Sequence, residues 1–206
     1  MTHKGPLTPL PQKNLVLETD RLILRPLTLE DTDLAISMFT DPEVVRYVCD
    51  LGTPDQIAED MKSQVKRGAG GRIGIWSVSL KDTRERIGSC VLMPVPIDED
   101  DYDWTTIVED RYPDGEIETG YLLRPMAWGQ GFATEICNRL LEFGFTEASL
   151  AEIVATTDPD NKASQNVLKK CGFSDEGLQR AYATECSFFR LSRNDWRARV
   201  DSKLKH

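Results

Sequence analysis

The stretch "ETGYLLRPMAWGQGFATE", residues 118–135, passes from alternating strand-like residues through a proline into a Gly-x-Gly turn and then into helix formers. A strand, glycines and a helix start in that order present backbone N–H groups without intrahelical partners, at the positive end of the helix dipole. Gly129 and Gly131 leave room there for a phosphate to reach the backbone. Read alone, the turn is equally a tight strand-to-helix connection. It is not a G-x-x-x-x-G-K-S/T loop, and Thr134 stands where a dinucleotide fingerprint has its third glycine. A second polar group lies in "DPDNKASQNVLKKCGF", residues 158–173, where Asn161 occupies a helix N-cap position and Ser164 follows one turn on. Read alone, Ser164 is a residue that satisfies first-turn backbone groups.

Histidine usage narrows the chemistry. The two histidines, His3 and His206, stand at chain ends, which are usually mobile. A Ser-His-Asp or Cys-His system, or a His-bearing zinc site, needs a histidine held inside the fold. Carboxylates, hydroxyls, backbone amides and a bound cofactor remain, and no metal is expected. Five separated cysteines without a C-x-x-C pair suit reduced core thiols. The net charge of -9 has the wrong sign for a partner built on a phosphate backbone, so no nucleic acid is expected. No apolar run approaches the roughly 18 to 20 residues of a membrane span, and the first residues lack a signal-peptide core. The expectation is therefore a cytoplasmic protein with no membrane partner.

The elements that must position these groups alternate along the chain. Residues 1–14, with three prolines, read as a flexible arm, and 206 residues suit a single domain over 15–200. "RLILRPL" alternates as a half-buried strand does, and "TLEDTDLAISMFTDP" begins a helix with Thr28 as cap and Asp31 three residues on. In the next helix Ile57, Met61 and Val65 share a face. Residues 73–80 and 86–95 form a hairpin, 116–123 a strand, 130–147 a long helix with Phe132, Ile136, Leu140 and Phe143 on one face. Strand 151–158, a short helix stopped by Gly172, and strand 185–193 complete an α/β fold, a mixed sheet with helices on its faces.

"EIETGYLLRPMAWGQGFATE", "DPDNKASQNVLKKCGF" and the opening "LETDRLILRPLTLEDTDLAISMFTDPEVVRYV" together resemble the GNAT superfamily of acetyl-coenzyme A dependent N-acetyltransferases. The likeness is strongest to the branch with the ribosomal-protein alanine acetyltransferases and covers roughly residues 15–193. It implies a mostly antiparallel sheet of about seven strands, splayed between the fourth and fifth, with the coenzyme arm in the resulting V. Backbone groups near Tyr121, Leu122 and Leu123 then pair with the pantetheine amides. The pyrophosphate lies on the turn of Gly129, Gln130, Gly131, Phe132, Ala133 and Thr134, and Asn161 contacts the arm. Met126 departs from the family's Gln/Arg-x-x-Gly-x-Gly/Ala pattern, which leaves a non-catalytic acyl-coenzyme A binding module open as an alternative.

The same resemblance implies direct transfer of the acetyl group to a primary amine, either a protein N-terminal residue or a small amine such as a polyamine or aminoglycoside. The enzyme is then a monomer or homodimer. Glu118, in the family's E-x-G-Y piece, becomes the base that neutralises the amine. On its strand Glu116, Glu118 and Gly120 share one face, which also describes an ordinary solvated surface. Ser164 and Tyr182 are rival donors of a proton to the departing thiolate. The segment 94–116, "PVPIDEDDYDWTTIVEDRYPDGE", carries nine acidic residues against Arg111 and reads as an acidic insertion. Its Tyr102, Trp104 and Tyr112 read as exposed aromatics suited to a cationic partner.

Overall fold

The alternation in "RLILRPL" becomes strand β2 (Leu22–Pro26) of a computed structural model that describes residues 6–203. Leu22 and Leu24 are buried, while the alternate residues Ile23 and Arg25 are partly exposed. Around β2 runs one sheet: β1 (Leu17–Glu18), β3 (Gly74–Leu80), β4 (Arg86–Pro94), β5 (Ile117–Leu123), β6 (Glu152–Thr157), β7 (Ser174–Ala181) and β8 (Thr184–Ser192). The spatial order is β1-β2-β3-β4-β5-β6-β8-β7. Every neighbouring pair is antiparallel except β5 and β6, which are parallel and meet in a single register pair, Glu118 with Val154. The two strands part beyond that rung, so the expected splay is present. With β1 counted, it falls between the fifth and sixth of eight strands rather than the fourth and fifth of seven.

Both sheet faces are covered. On one, Leu22, Leu24, Trp76, Val78, Ile117 and Leu123 form a core with Phe132, Ile136, Leu140 and Phe143 of helix α5 (Phe132–Thr146), all at the spacing that gives one helix face. Trp76 meets Phe143 edge-on, ring centres 5.6 Å apart. Helix α6 (Lys162–Cys171) adds Leu168 and Cys171 to this core and stops at Gly172, φ 100°. On the other face Leu27 and Ile75 pack with Ala35 of α2 (Thr32–Phe39) and with Ile57 and Met61 of α4 (Pro54–Gln64). The short helices α1 (Gln12–Leu15) and α3 (Pro42–Val45) and the C-terminal α7 (Arg193–Lys203) complete the set.

Thr28 and Asp31 form the expected capping box, on a 3₁₀ turn that leads into α2. Asp31 does more than cap. It is fully buried, takes two hydrogen bonds from Arg25 (2.7 and 2.8 Å), one from Ser77 (3.0 Å) and one from the Thr28 amide (3.0 Å). Burial works to raise its pKa, but the Arg25, Thr28 and Ser77 bonds outweigh it and hold the carboxyl below its usual range.

Two expectations concern segments outside the sheet. Residues 6–14 of the proposed arm carry the α1 turn, and the Leu7 and Leu10 amides donate to the Asp110 and Gly70 carbonyls. His3 and His206 lie outside the described residues. In the acidic segment, Tyr102, Trp104 and Tyr112 are partly buried and pack on the main core, which corrects the reading of them as exposed. Ile107 is buried among them, and the Ala69 and Gly70 amides donate to the Val108 and Glu109 carbonyls. Burial of apolar rings thus ties down a stretch whose charges suggested a free surface loop.

Candidate active site

Strand alternation distributes the residues of β5 between two faces. Thr119 and Tyr121 point with Ile117 and Leu123 toward α5 and α6, and Glu118 points the opposite way. On the α6 side the Tyr121 hydroxyl lies 3.1 Å from Ser164 Oγ. Asn161 caps α6 by accepting the Ser164 amide at 3.0 Å. Tyr121, Asn161 and Ser164 are therefore brought together across the mouth of the V. Burial first, and then the thiols of Cys137 and Cys171, push the Tyr121 phenol up despite the Ser164 bond. Thr119 Oγ1 is buried with no hydrogen-bond partner among the described residues. A buried polar atom left so calls for an explanation. Its place just past the last β5–β6 rung aims that explanation at whatever fills the gap.

The turn before α5 has the form of an anion site. Gly129 (φ 70°) and Gly131 (φ 81°) both take left-handed backbone conformations that glycine adopts without penalty. A Cβ at Gly129 would meet nothing within 4 Å, so open approach rather than packing accounts for the missing side chain. No side chain caps α5, which leaves the first-turn amides from Phe132 to Thr134 without intrahelical partners. Gln130 Nε2 donates to the Met126 carbonyl at 2.7 Å, and Trp128 Nε1 to the Leu123 carbonyl at 2.7 Å. These bonds stiffen the turn, and the Trp128 bond uses one lone pair of the Leu123 carbonyl. Leu122 faces the α2 side, among Leu34, Met38 and Val44.

Arg21 is a contributor that sequence reading missed. Its guanidinium donates to the Gln130 carbonyl at 3.0 Å, pairs with Glu135 at 2.6 Å and stacks 4.4 Å over the Phe132 ring. Burial works to raise Glu135, but the bonds from Thr19 and Arg21 outweigh it and keep the carboxyl low. A negative charge in the first turn of α5 is thereby neutralised beside the glycine turn. The partners are 114 residues apart, and no local pattern links them.

Glu118 occupies the opposite face, buried to 3% exposure. Tyr102 donates to its Oε1 at 2.9 Å, and Thr156 of β6 to its Oε2 at 3.0 Å. The Tyr182 hydroxyl bonds to the same Oε1 and lies 2.9 Å from the Tyr102 hydroxyl. Burial raises the Glu118 pKa, and bonds from Tyr182, Tyr102 and Thr156 oppose that rise without cancelling it. A carboxylate lifted in this way is a stronger proton acceptor. Tyr182 sits in the two-residue β7–β8 turn, where Tyr182 (φ 51°) and Ala183 (φ 56°) both take positive φ. Burial, then the neighbouring Tyr102 and Glu118, raise its phenol far above the usual value. The structure thus groups Tyr182 with Glu118 and Ser164 with Tyr121, on opposite faces of the sheet.

Acetyl-coenzyme A fits these groups: a strand edge free past one rung, an orphaned hydroxyl beside it, and an uncapped helix start at the end of the same strand. When bound it supplies the activated acetyl group. Among the described residues no group of three or more His, Cys, Asp or Glu could hold a metal ion, and no helix is long and apolar enough to cross a membrane.

Comparisons with known proteins agree with the geometry. Residues 21–174 match the family described as "Acetyltransferase (GNAT) domain". An uncharacterised N-acetyltransferase of Bacillus licheniformis, p20, is 34% identical over 168 residues, covering 81% of this chain and 86% of that protein. FsC-acetyl coenzyme A-N(2)-transacetylase of Aspergillus fumigatus is 32% identical over 168 residues, with 77% and 64% covered. Among solved structures, spermidine N-acetyltransferase from Vibrio cholerae in complex with coenzyme A and spermine shares the fold. Its TM-score is 0.66 at 18% identity, covering 86% of this chain and 99% of that one. A splayed sheet, an open glycine turn and a family match over three quarters of its length make this chain a member of the GNAT acetyltransferases, an acetyl-coenzyme A dependent N-acetyltransferase.

Proposed function

We propose that the enzyme acetylates the N-terminal residue of a basic protein or peptide, as a member of the branch with the ribosomal-protein alanine acetyltransferases, in the cytoplasm. The observation that carries this reading is a buried, proton-accepting Glu118 beside a segment rich in carboxylates. A cationic chain end is drawn to that side of the sheet by charge. Glu118 takes one proton from the incoming ammonium, leaving a lone pair on nitrogen to form the C–N bond as the C–S bond breaks. Ser164 gives its hydroxyl proton to the departing sulfur, and the second proton lost by nitrogen restores it. Tyr121 and Asn161 hold Ser164 in place. The amides of Gly129 to Thr134 bind the pyrophosphate, and the backbone groups of Tyr121 and Leu123, which turn away from β4, the pantetheine arm.

A second reading, a small polyamine or aminoglycoside acceptor, draws on the relatives whose names specify small amines, such as the spermidine enzyme above. Mass spectrometry of products, with free coenzyme A release measured in parallel, separates the two. A panel of basic peptides with free N-termini is set against spermidine and an aminoglycoside. Acetylated peptide N-termini support the first reading; acetylation of the small amines alone overturns it.

A further inference from the structure

Glu118 is the base in the reading above, yet its polar oxygens are already engaged, Oε1 by two phenols and Oε2 by Thr156. Both phenols are only partly buried, while Glu118 is 3% exposed. They stand between the carboxylate and the outside. One of them comes from the acidic segment, and the segment is anchored for the purpose. Its root is stitched to the β7–β8 turn: the Tyr182 amide donates to the Pro96 carbonyl at 2.9 Å, the Ala183 amide to the Ile97 carbonyl at 3.1 Å, and Arg180 pairs with Asp98 at 2.7 Å. The Tyr102 ring then meets Tyr182 edge-on at 5.9 Å and is backed by Trp104 edge-on at 5.8 Å.

We propose that Tyr102 is a positioning residue for acetyl transfer. The acidic segment delivers its phenol to Glu118, where it orients the carboxylate and favours its ionised form. The proposal rests on Glu118 being the base, and it extends that role to a residue of the segment that otherwise looks like a charged surface. A hydrogen bond donated to the charged form lowers a carboxyl's pKa, so losing the Tyr102 hydroxyl should raise it. The groups facing Glu118 are few. Tyr102 and, behind it, Asp101 come from the segment; Tyr182 from the β7–β8 turn; Thr156 from β6; and Cys186 from β8, whose thiol burial and the Glu118 charge both raise. From β4 the cross-strand neighbour is the apolar Met93. Tyr102→Phe removes the bonds that the Tyr102 hydroxyl makes with Glu118 and with the Tyr182 hydroxyl, and keeps the ring and its edge-on contacts.

The test uses the full chain labelled with glutamate carrying ¹³C at its carboxyl carbon, with Glu118→Gln assigning the Glu118 resonance. In Tyr102→Phe the NMR titration midpoint of Glu118 should move up by about one pH unit, the size expected for one lost charge-assisted hydrogen bond. The acid limb of kcat/KM should move up in parallel, measured with whichever amine of the panel the wild type acetylates. Circular dichroism and acetyl-coenzyme A affinity should stay at wild-type values. An unmoved midpoint overturns the proposal, and so does an activity loss equal at every pH, which marks a merely structural tyrosine. If peptides fail as acceptors and a small amine succeeds, the acceptor reading falls while the midpoint still decides the role of Tyr102.

Discussion

Ser164 and Tyr182 each hold a hydroxyl that can protonate a thiolate, and β5 separates them. Ser164 bonds to Tyr121 on the face shared with the glycine turn, whereas Tyr182 bonds to Glu118 on the other. Ser164→Ala should therefore lower kcat by about 10- to 1000-fold with coenzyme affinity unchanged, the range for losing an acid that water partly replaces. Steady-state kinetics and calorimetry check both quantities. If Tyr182→Phe gives that pattern and Ser164→Ala does not, the roles exchange. A second prediction concerns Asp31. Its carboxyl is held low in the fold, so its stabilising contribution is present above the unfolded value of about 3.9 and is lost as pH falls through the depressed folded value. Asp31→Asn should be less stable by about 3 kcal/mol at neutral pH, as for breaking a buried charge pair, with the gap closing in acid. Urea melts across pH 2 to 7 measure it. At this scale the sequence was informative about types more than partners. The pattern of β5 picked out Glu118, but a phenol 16 residues earlier in a charged stretch gives no sign that it folds back onto that carboxylate.

The glycine turn is the element on which cosubstrate binding is expected to depend. Gly131 opens α5 at φ 81°, and among the described residues only the Arg21 guanidinium, at 3.6 Å, comes near the position of an added Cβ. Gly131→Glu places a charge against the phosphates and should abolish acetyl-coenzyme A binding while the protein stays folded. Gly131→Asn, which tolerates left-handed backbone and keeps the amides, should weaken binding far less. Calorimetry showing equal affinity for wild type and Gly131→Glu would sink the anion-site reading. Elements with strong periodicity, such as α5 and α4, stand where their spacing put them, because one buried face per helix leaves a repeating trace. β7 left none. Its residues "SDEGLQRA" are exposed along almost their whole length on the sheet edge, so no alternation marks them. β1 has two residues, too few for any period to show.

Across the whole molecule, the net charge of -9 is concentrated in part on a segment that reaches the Glu118 side of the sheet. Its field should gather cationic acceptors and speed encounter more than it tightens the complex. Raising ionic strength to physiological values shortens the screening length to about 8 Å, so kcat/KM for a cationic acceptor should fall while that for a neutral one barely moves. Replacing Glu99, Asp100 and Asp103 by their amides, which leaves the Asp98 anchor and Asp101 in place, should reduce that salt dependence without changing kcat at saturation. Equal salt slopes in the two proteins would retire the idea. The sheet itself carries a different consequence. Five strands on one side and three on the other share one rung, Glu118 with Val154. A strand-like cosubstrate laid along that seam, as proposed above, would act as a keystone as well as a reactant. At a hundredfold excess over its dissociation constant it adds about 2.7 kcal/mol to the folded state. Heat resistance then becomes a gauge of acetyl-coenzyme A supply, and a starved enzyme is expected to open first along the line where it works.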